Sequence, residues 1–227
     1  FSYWSVMGAD DGDLPTGTLS INNGDSYATS ATVSLALTAS DATTSVTGMR
    51  FREDTGGWSA WEPYAATKSF TLTGGDGTRT VSVEFSDEAG NISDPASDSI
   101  TLDTAAPSDN AVTVNGGEFV NTTAVTLTPA STGAAQMRFS QDNTFDGVAW
   151  AAYSVSAQAF TLSSGDGLKT VYAQYRDAAG NVAAASDTVN LDTAAPTGSA
   201  VTIAGGEFVN TTAVTLTPAS TGAAQMR

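Results

Sequence analysis

The sequence predicts an all-β protein made of tandem β-sandwich modules in a linear array. Three observations support this prediction. Long stretches of the chain occur twice, apolar residues alternate with polar ones, and no segment keeps the 3.6-residue apolar period of an amphipathic helix. We therefore expect short strands joined by turns, arranged in units that repeat along the chain.

The repeats set the predicted domain boundaries. Residues 116–138 recur letter for letter as 205–227, and the DTAAP segment at 103–107 recurs at 192–196. Self-similarity of this kind is typical of repeat architectures. We predict the end of a preceding element at 1–10, modules at 11–102 and 103–191, and part of a third module at 192–227. We also expect the chain to belong to a longer repeat protein.

The first module shows the strand pattern most clearly. Val33, Leu35 and Leu37 alternate with polar or small residues, and Val81 and Phe85 lie in a second alternating run. Turn signals separate such runs: NNG at 22–24, GDG at 75–77 and AGN at 89–91. The predicted strands are 16–21, 31–38, 46–52, 59–64, 68–73, 78–86 and 97–102. Seven short strands in about 90 residues fit an immunoglobulin-like β-sandwich.

The predicted core must hold without disulfides, because the chain contains no Cys. We expect large side chains to fill the space that an inter-sheet disulfide occupies in other immunoglobulin-like domains. In the first module these are Met49, Phe51, Trp61, Phe70 and Phe85.

Composition excludes several functions. The net charge of −16 argues against nucleic acid, whose binding depends on Lys and Arg. Without His or Cys, the chain cannot form a Ser-His or Cys-His catalytic pair or a His- or Cys-ligated zinc site. No apolar run is long enough to span a membrane as a helix. We predict that the chain is not an enzyme.

The acidic turns suggest a site for calcium. Consecutive strands of a sandwich run in opposite directions, so the turn before the last strand should lie where the chain enters the module. We expect acidic and amide side chains of this turn, of the linkers and of the GDG turn to meet near the module junctions, where Ca²⁺ would neutralise them. The candidate ligands are Asp11, Asp13, Asp76, Asp87, Asn91, Asp103, Asp177, Asn181 and Asp192. Ordinary turn chemistry, with Asp capping its own turn, is the alternative.

The repeated motifs resemble the bacterial Ig-like repeats of large secreted surface proteins and adhesins. The resemblance rests on MRF at 137–139, GDGLKTV at 165–171, DAAGN at 177–181 and LDTAAP at 191–196. It implies an extracellular or bacterial cell-surface location and a structural role as part of a stalk, adhesin or filament. It also implies calcium at module junctions.

Other partners follow from the same features. The neighbouring modules of the chain are the expected partners, and the third module could meet other copies by strand addition or side-by-side assembly. The alternative function is an array that binds glycans or a protein partner, in an adhesin or beside a secreted enzyme. Trp58 and Trp150 are the aromatic side chains to test for surface glycans.

Overall fold

The computed structural model describes residues 11–223 except 206, 207 and 209. The predicted end of a preceding element at 1–10 lies outside the described residues. The described chain is almost entirely β-structure, with one short 3-10 turn at Asn22–Gly24. No helix in this part of the chain is long and apolar enough to cross a membrane.

Eight strands build the first sandwich. They are β1 (Thr16–Ile21), β2 (Tyr27–Ala28), β3 (Thr32–Ser40), β4 (Val46–Glu53), β5 (Glu62–Pro63), β6 (Thr67–Thr71), β7 (Gly77–Asp87) and β8 (Ala96–Leu102). One sheet has the order β1-β3-β6, and the other has the order β2-β8-β7-β4-β5. The all-β, immunoglobulin-like prediction is therefore confirmed.

The strand prediction differs from the structure at two places. Strand β2 was not predicted; Tyr27 and Ala28 pair in parallel with Thr101 and Leu102 at the edge of the larger sheet. Two residues are too few to show a period of two. Strand β5 covers only two residues of the predicted 59–64. Residues 59–61 belong to the loop between β4 and β5.

The core lies between the two sheets. Val33, Leu35 and Leu37 on β3 are buried, while the residues between them face outward, as the alternation predicted. From the larger sheet Met49, Phe51 and Phe85 are buried against them, and Phe70 is half-buried at the margin. These residues supply the apolar contact that a disulfide-free sandwich requires.

The prediction that Trp61 belongs to the core is wrong. Its side chain is 39% exposed. The guanidinium of Arg50 lies 4.7 Å from its ring centroid, on the outer face of the sheet. The ring of a tryptophan can pack against the guanidinium of an arginine as well as against apolar core residues. Sequence alone therefore did not distinguish a core position from a position on the outer face of the sheet.

A second set of strands repeats this arrangement. It consists of β9 (Ser108–Val114), β10 (Phe119–Val120), β11 (Ala124–Thr132), β12 (Gln136–Ser140), β13 (Ala151–Ala152), β14 (Gln158–Thr161), β15 (Gly167–Arg176) and β16 (Val182–Leu191). The sheets are β14-β11-β9 and β10-β16-β15-β12-β13. Strand β17 (Thr197–Ile203) then pairs with β18 (Leu216–Thr221). Sheet pairing thus follows the repeats.

The chain divides into two compact units with other boundaries. The first contains the described residues up to Ser108 together with Thr132–Gln136 and Tyr175–Ala183. The second contains Asp109–Ser131, Met137–Gln174 and the described residues from Ala184 onward. The module boundaries at 11–102, 103–191 and 192–227 stay a prediction.

The burial of β3 predicts a large effect of truncating its central residue. Leu35→Ala should lower the free energy of unfolding of the first sandwich by about 2–5 kcal/mol, because Leu35 is fully buried and its removal leaves a cavity. Calorimetric unfolding measures this change. The neighbouring Ser34→Ala faces solvent and should change it by less than about 0.5 kcal/mol. Equal effects of the two substitutions would contradict the assigned faces of β3.

Candidate metal site and linker contacts

The turn after β7 is organised by one carboxylate. Asp87 accepts hydrogen bonds through Oδ1 from the backbone amides of Gly90 (2.7 Å) and Asn91 (2.8 Å). Its Oδ2 accepts a third from Nδ2 of Asn91, at 2.9 Å. Gly90 has a φ of +94°, a conformation that residues with a side chain rarely adopt. The Asp-to-Asn spacing and the glycine therefore close a specific turn.

The corresponding turn after β15 has the same bonds. Oδ1 of Asp177 accepts from the amides of Gly180 (2.7 Å) and Asn181 (2.9 Å). Its Oδ2 accepts from Nδ2 of Asn181 at 3.0 Å. The ordinary turn chemistry considered for these residues is thus present in both repeats.

Each turn also holds the chain that enters its sandwich. Nδ2 of Asn91 donates to the backbone carbonyl of Asp11 at 2.9 Å, and Nδ2 of Asn181 donates to that of Asp103 at the same distance. The sequence analysis placed these turns beside the incoming linkers, and the hydrogen bonds confirm that placement. One asparagine amide therefore connects a turn carboxylate to a linker backbone.

Three carboxylates lie together at the entry to the first sandwich. Asp11, Asp41 and Asp87 each place one carboxylate oxygen within 4.8 Å of the others. Asp41, in the loop after β3, accepts through Oδ1 from the amides of Thr43 and Thr44, both at 2.9 Å. Its Oδ2 is buried and has no hydrogen-bond partner. This orphaned oxygen is the atom that a cation could satisfy.

Hydrogen bonds from the surrounding turns lower the pKa of two of these carboxylates, Asp41 and Asp87. The amide of Thr44 is the main cause that lowers the pKa of Asp41, although the nearby charge of Asp87 acts to raise it. Burial acts to raise the pKa of Asp87, but the bonds from Asn91 and Gly90 outweigh it, and this pKa is also lowered. Carboxylates that stay charged at close range repel each other, and oxygen-rich clusters of this kind suit a hard cation such as Ca²⁺.

Asp41 was missed by the sequence analysis. It belongs to a loop that the second module shortens, where residues 132–135 contain no acidic side chain. The search for candidate ligands relied on motifs that occur in every repeat, and Asp41 is not part of one. Apart from the Asp11–Asp41–Asp87 cluster, the described residues contain no similar group of three metal-binding side chains.

The other predicted ligands have local partners. Asp13 accepts from Oγ1 of Thr43 at 3.0 Å. Asp103 and Asp192 accept from the amides two residues further on, in Ala105 (3.2 Å) and Ala194 (3.1 Å). Metal binding by these residues, by Asp76 and by the Asp177–Asn181 turn stays a prediction.

The GDG turns hold the chain that leaves each sandwich. Asp76 was expected to meet Asp103 and Asp177, but its carboxylate instead binds the next linker residue. It accepts from the amide (3.1 Å) and Oγ1 (3.0 Å) of Thr104. Oδ1 of Asp166 binds Thr193 in the same way, at 2.9 and 2.8 Å. The amide and hydroxyl of Thr193 are the main causes that lower the pKa of Asp166.

The aromatic residues considered for glycans stack on arginines. Arg50 contacts both Trp58 and Trp61. Its guanidinium carbon is 5.2 Å from the ring centroid of Trp58 and 4.7 Å from that of Trp61. Arg138 lies 4.5 Å from the ring centroid of Trp150. One face of each ring is therefore occupied by a side chain of the same sandwich. Glycan binding stays a prediction.

No protein-family model matches the chain, and no curated protein matches it. Several solved structures do. Fibronectin(III)-like modules of Clostridium thermocellum CbhA are 11% identical, with a TM-score of 0.49, over 77% of this chain and 93% of theirs. A 1.5-MDa bacterial ice-binding adhesin is 18% identical, with a TM-score of 0.46, over 84% of this chain and 68% of its own.

A tetra-tandem repeat in the extending region of a large adhesion protein also matches. It is 23% identical, with a TM-score of 0.33, over 81% of this chain and 51% of its own. The three structures described here are thus fibronectin-like modules and parts of large adhesion proteins.

Proposed function

We propose that this chain is a structural spacer segment of a large extracellular or bacterial cell-surface repeat protein, such as a stalk, an adhesin or a filament component. The observation that carries the proposal is that the linkers are hydrogen-bonded to the turns beside them. A spacer keeps the parts of a protein on either side of it apart, so its linkers must not bend freely.

The linker after β8 shows how this is done. In the GDG turn that precedes β7, the carboxylate of Asp76 accepts hydrogen bonds from the amide and the hydroxyl of Thr104. Asn181 binds the carbonyl of Asp103. The amide of Asp103 also donates to the carbonyl of Ala28 at 2.9 Å. Each bond contributes about 0.5–1.5 kcal/mol, so together they favour one linker conformation.

The following linker repeats part of this pattern. Thr193 is bound twice by Asp166, and the amide of Asp192 donates to the carbonyl of Val120 at 2.9 Å. Because the same contacts recur with the repeat, adding repeats would add length with the same local linker structure. The net charge of −16 further supports an exposed, soluble surface on which copies repel one another.

Small-angle X-ray scattering tests the spacer proposal. Asp76→Ala removes both bonds to Thr104 and should broaden the distribution of maximum dimensions fitted to the scattering curve, because the linker gains conformational freedom. Asp25→Ala is the matched control, since it removes the same charge from an exposed position in the 22–25 turn. A distribution equally narrow in all three proteins would contradict a role for this contact in fixing the linker.

We also propose that Ca²⁺ binds at Asp11, Asp41 and Asp87. The buried, unpartnered Oδ2 of Asp41 and the two neighbouring carboxylates support this proposal. The three residues come from the entering chain, the loop after β3 and the turn after β7. A cation shared by them would link the entering chain to the body of the first sandwich and add to the bond from Asn91.

Calorimetry with and without Ca²⁺ tests this site. At a Ca²⁺ concentration about 100 times the Kd, the first sandwich should gain about 2.7 kcal/mol, which raises its Tm by several degrees. The second sandwich should not respond, because it lacks a counterpart of Asp41. Asp41→Asn should abolish the shift, whereas Asp25→Asn should keep it. An unchanged Tm in the unmodified protein would leave only turn chemistry for these carboxylates.

A further inference from the structure

The last strand of each sandwich carries a carboxylate on its core-facing side. Asp98 lies two residues before the buried Ile100 in β8, and Asp187 lies two residues before the buried Val189 in β16. Side chains two residues apart in a strand point to the same face of the sheet. A charged group on that face costs free energy unless it is hydrogen-bonded. The alternation alone predicts an apolar residue at both positions.

Each of these carboxylates connects the two sheets of its sandwich. Oδ2 of Asp98 accepts a hydrogen bond from the backbone amide of Ile21, the last residue of β1, at 2.8 Å. Oδ2 of Asp187 accepts from the amide of Val114, the last residue of β9, also at 2.8 Å. Strands β1 and β9 belong to the smaller sheets, whereas β8 and β16 belong to the larger ones. The same bond therefore joins the first strand to the last strand in both repeats.

A parallel strand pair lies next to this bond. Strand β2 pairs with the end of β8, where the amides of Thr101 and Asp103 donate to the carbonyls of Ser26 (3.1 Å) and Ala28 (2.9 Å). Strand β10 pairs with the end of β16 in the same way. The bonds there run from Asn190 to Glu118 (3.0 Å) and from Asp192 to Val120 (2.9 Å).

The position of these bonds matters when the chain is under tension. A stretched spacer is pulled through the chain that enters a sandwich and the chain that leaves it. The chain enters upstream of β2 and leaves downstream of β8, and these two strands are parallel. Tension therefore pulls them along their lengths in opposite directions, so their hydrogen bonds are loaded together. Ile21 lies between the entering chain and β2, so its bond to Asp98 is loaded on the same path.

We propose that Asp98 and Asp187 are tension-bearing residues, whose carboxylates hold the first strand of each sandwich to the last strand when the chain is stretched. Bonds to a charged acceptor are stronger than those between neutral groups, which suits a contact that is loaded directly. The proposal rests on the spacer function, because only a stretched chain uses the contact in this way.

Single-molecule stretching of the full chain at constant force tests the proposal. A cysteine added at each end provides specific attachment, since the chain has no native Cys. Asp98→Ala should raise the unfolding rate of one of the two sandwiches about tenfold or more, the factor for losing one hydrogen bond to a charged group. Asp98→Asn retains an acceptor oxygen and should recover part of this loss. Asp187→Ala should accelerate the other sandwich, and the double variant should accelerate both.

Two controls separate tension from general stability. Asp94→Ala removes the same charge from an exposed position before β8 and should leave both unfolding rates unchanged. Val83→Ala creates a cavity in the middle of β7, away from the strands that are pulled, and should lower the Tm of the first sandwich. For the same loss of Tm, it should accelerate unfolding under force less than Asp98→Ala does.

Two results would overturn the proposal. One is an unchanged unfolding rate under force in Asp98→Ala. The other is an acceleration in Asp98→Ala and Val83→Ala that follows the loss of Tm alone, because Asp98 would then stabilise the fold without bearing tension. Neither result removes the spacer role, which depends on the scattering of Asp76→Ala. If the scattering test fails, the linkers are not fixed, whatever the force that each sandwich withstands.

Discussion

The structure depends above all on the asparagine that ends each acidic turn. The side-chain amide of Asn91 or Asn181 donates both to the carboxylate that closes the turn and to a carbonyl of the entering chain. A single NH₂ group has two hydrogens, so it can make both bonds at once. Neither the adjacent carboxylate nor a shorter side chain could do this. The turn is therefore also the attachment point of the linker.

The two repeats use this contact in different electrostatic settings. In the first, carboxylate oxygens of Asp11 and Asp41 lie close to one of Asp87, which is the basis of the proposed Ca²⁺ site. In the second, the loop after β11 is shorter and contains no acidic residue, and the hydrogen bonds of Asp177 and Asn181 are the same as those of Asp87 and Asn91. The proposed Ca²⁺ site uses residues of the first repeat, whereas the hydrogen bonds between the asparagine, the turn and the linker occur in both repeats.

The sequence was informative where a signal repeats or alternates. The alternation of Val33, Leu35 and Leu37 located β3 and its buried face, and the recurrence of the Asp-to-Asn turn located the linker contact. It was uninformative where the signal occurs once or is very short. Asp41 has no counterpart in the second repeat, β2 has two residues, and Trp61 could pack on a core or on Arg50. Asp76 was placed at the correct end of the sandwich, but its binding to Thr104 depends on side-chain geometry that spacing does not specify.

The proposed spacer role requires that hydrogen bonds to the flanking turns fix the backbone of each linker. Measuring ¹⁵N relaxation at the amides of Thr104, Ala105 and Thr193 in the unmodified protein tests it most directly. We expect order parameters near 0.85 at these amides, as in the strands on either side. Values below about 0.6 at these amides, beside rigid strands, would show that the linkers move freely on the nanosecond timescale and would contradict it.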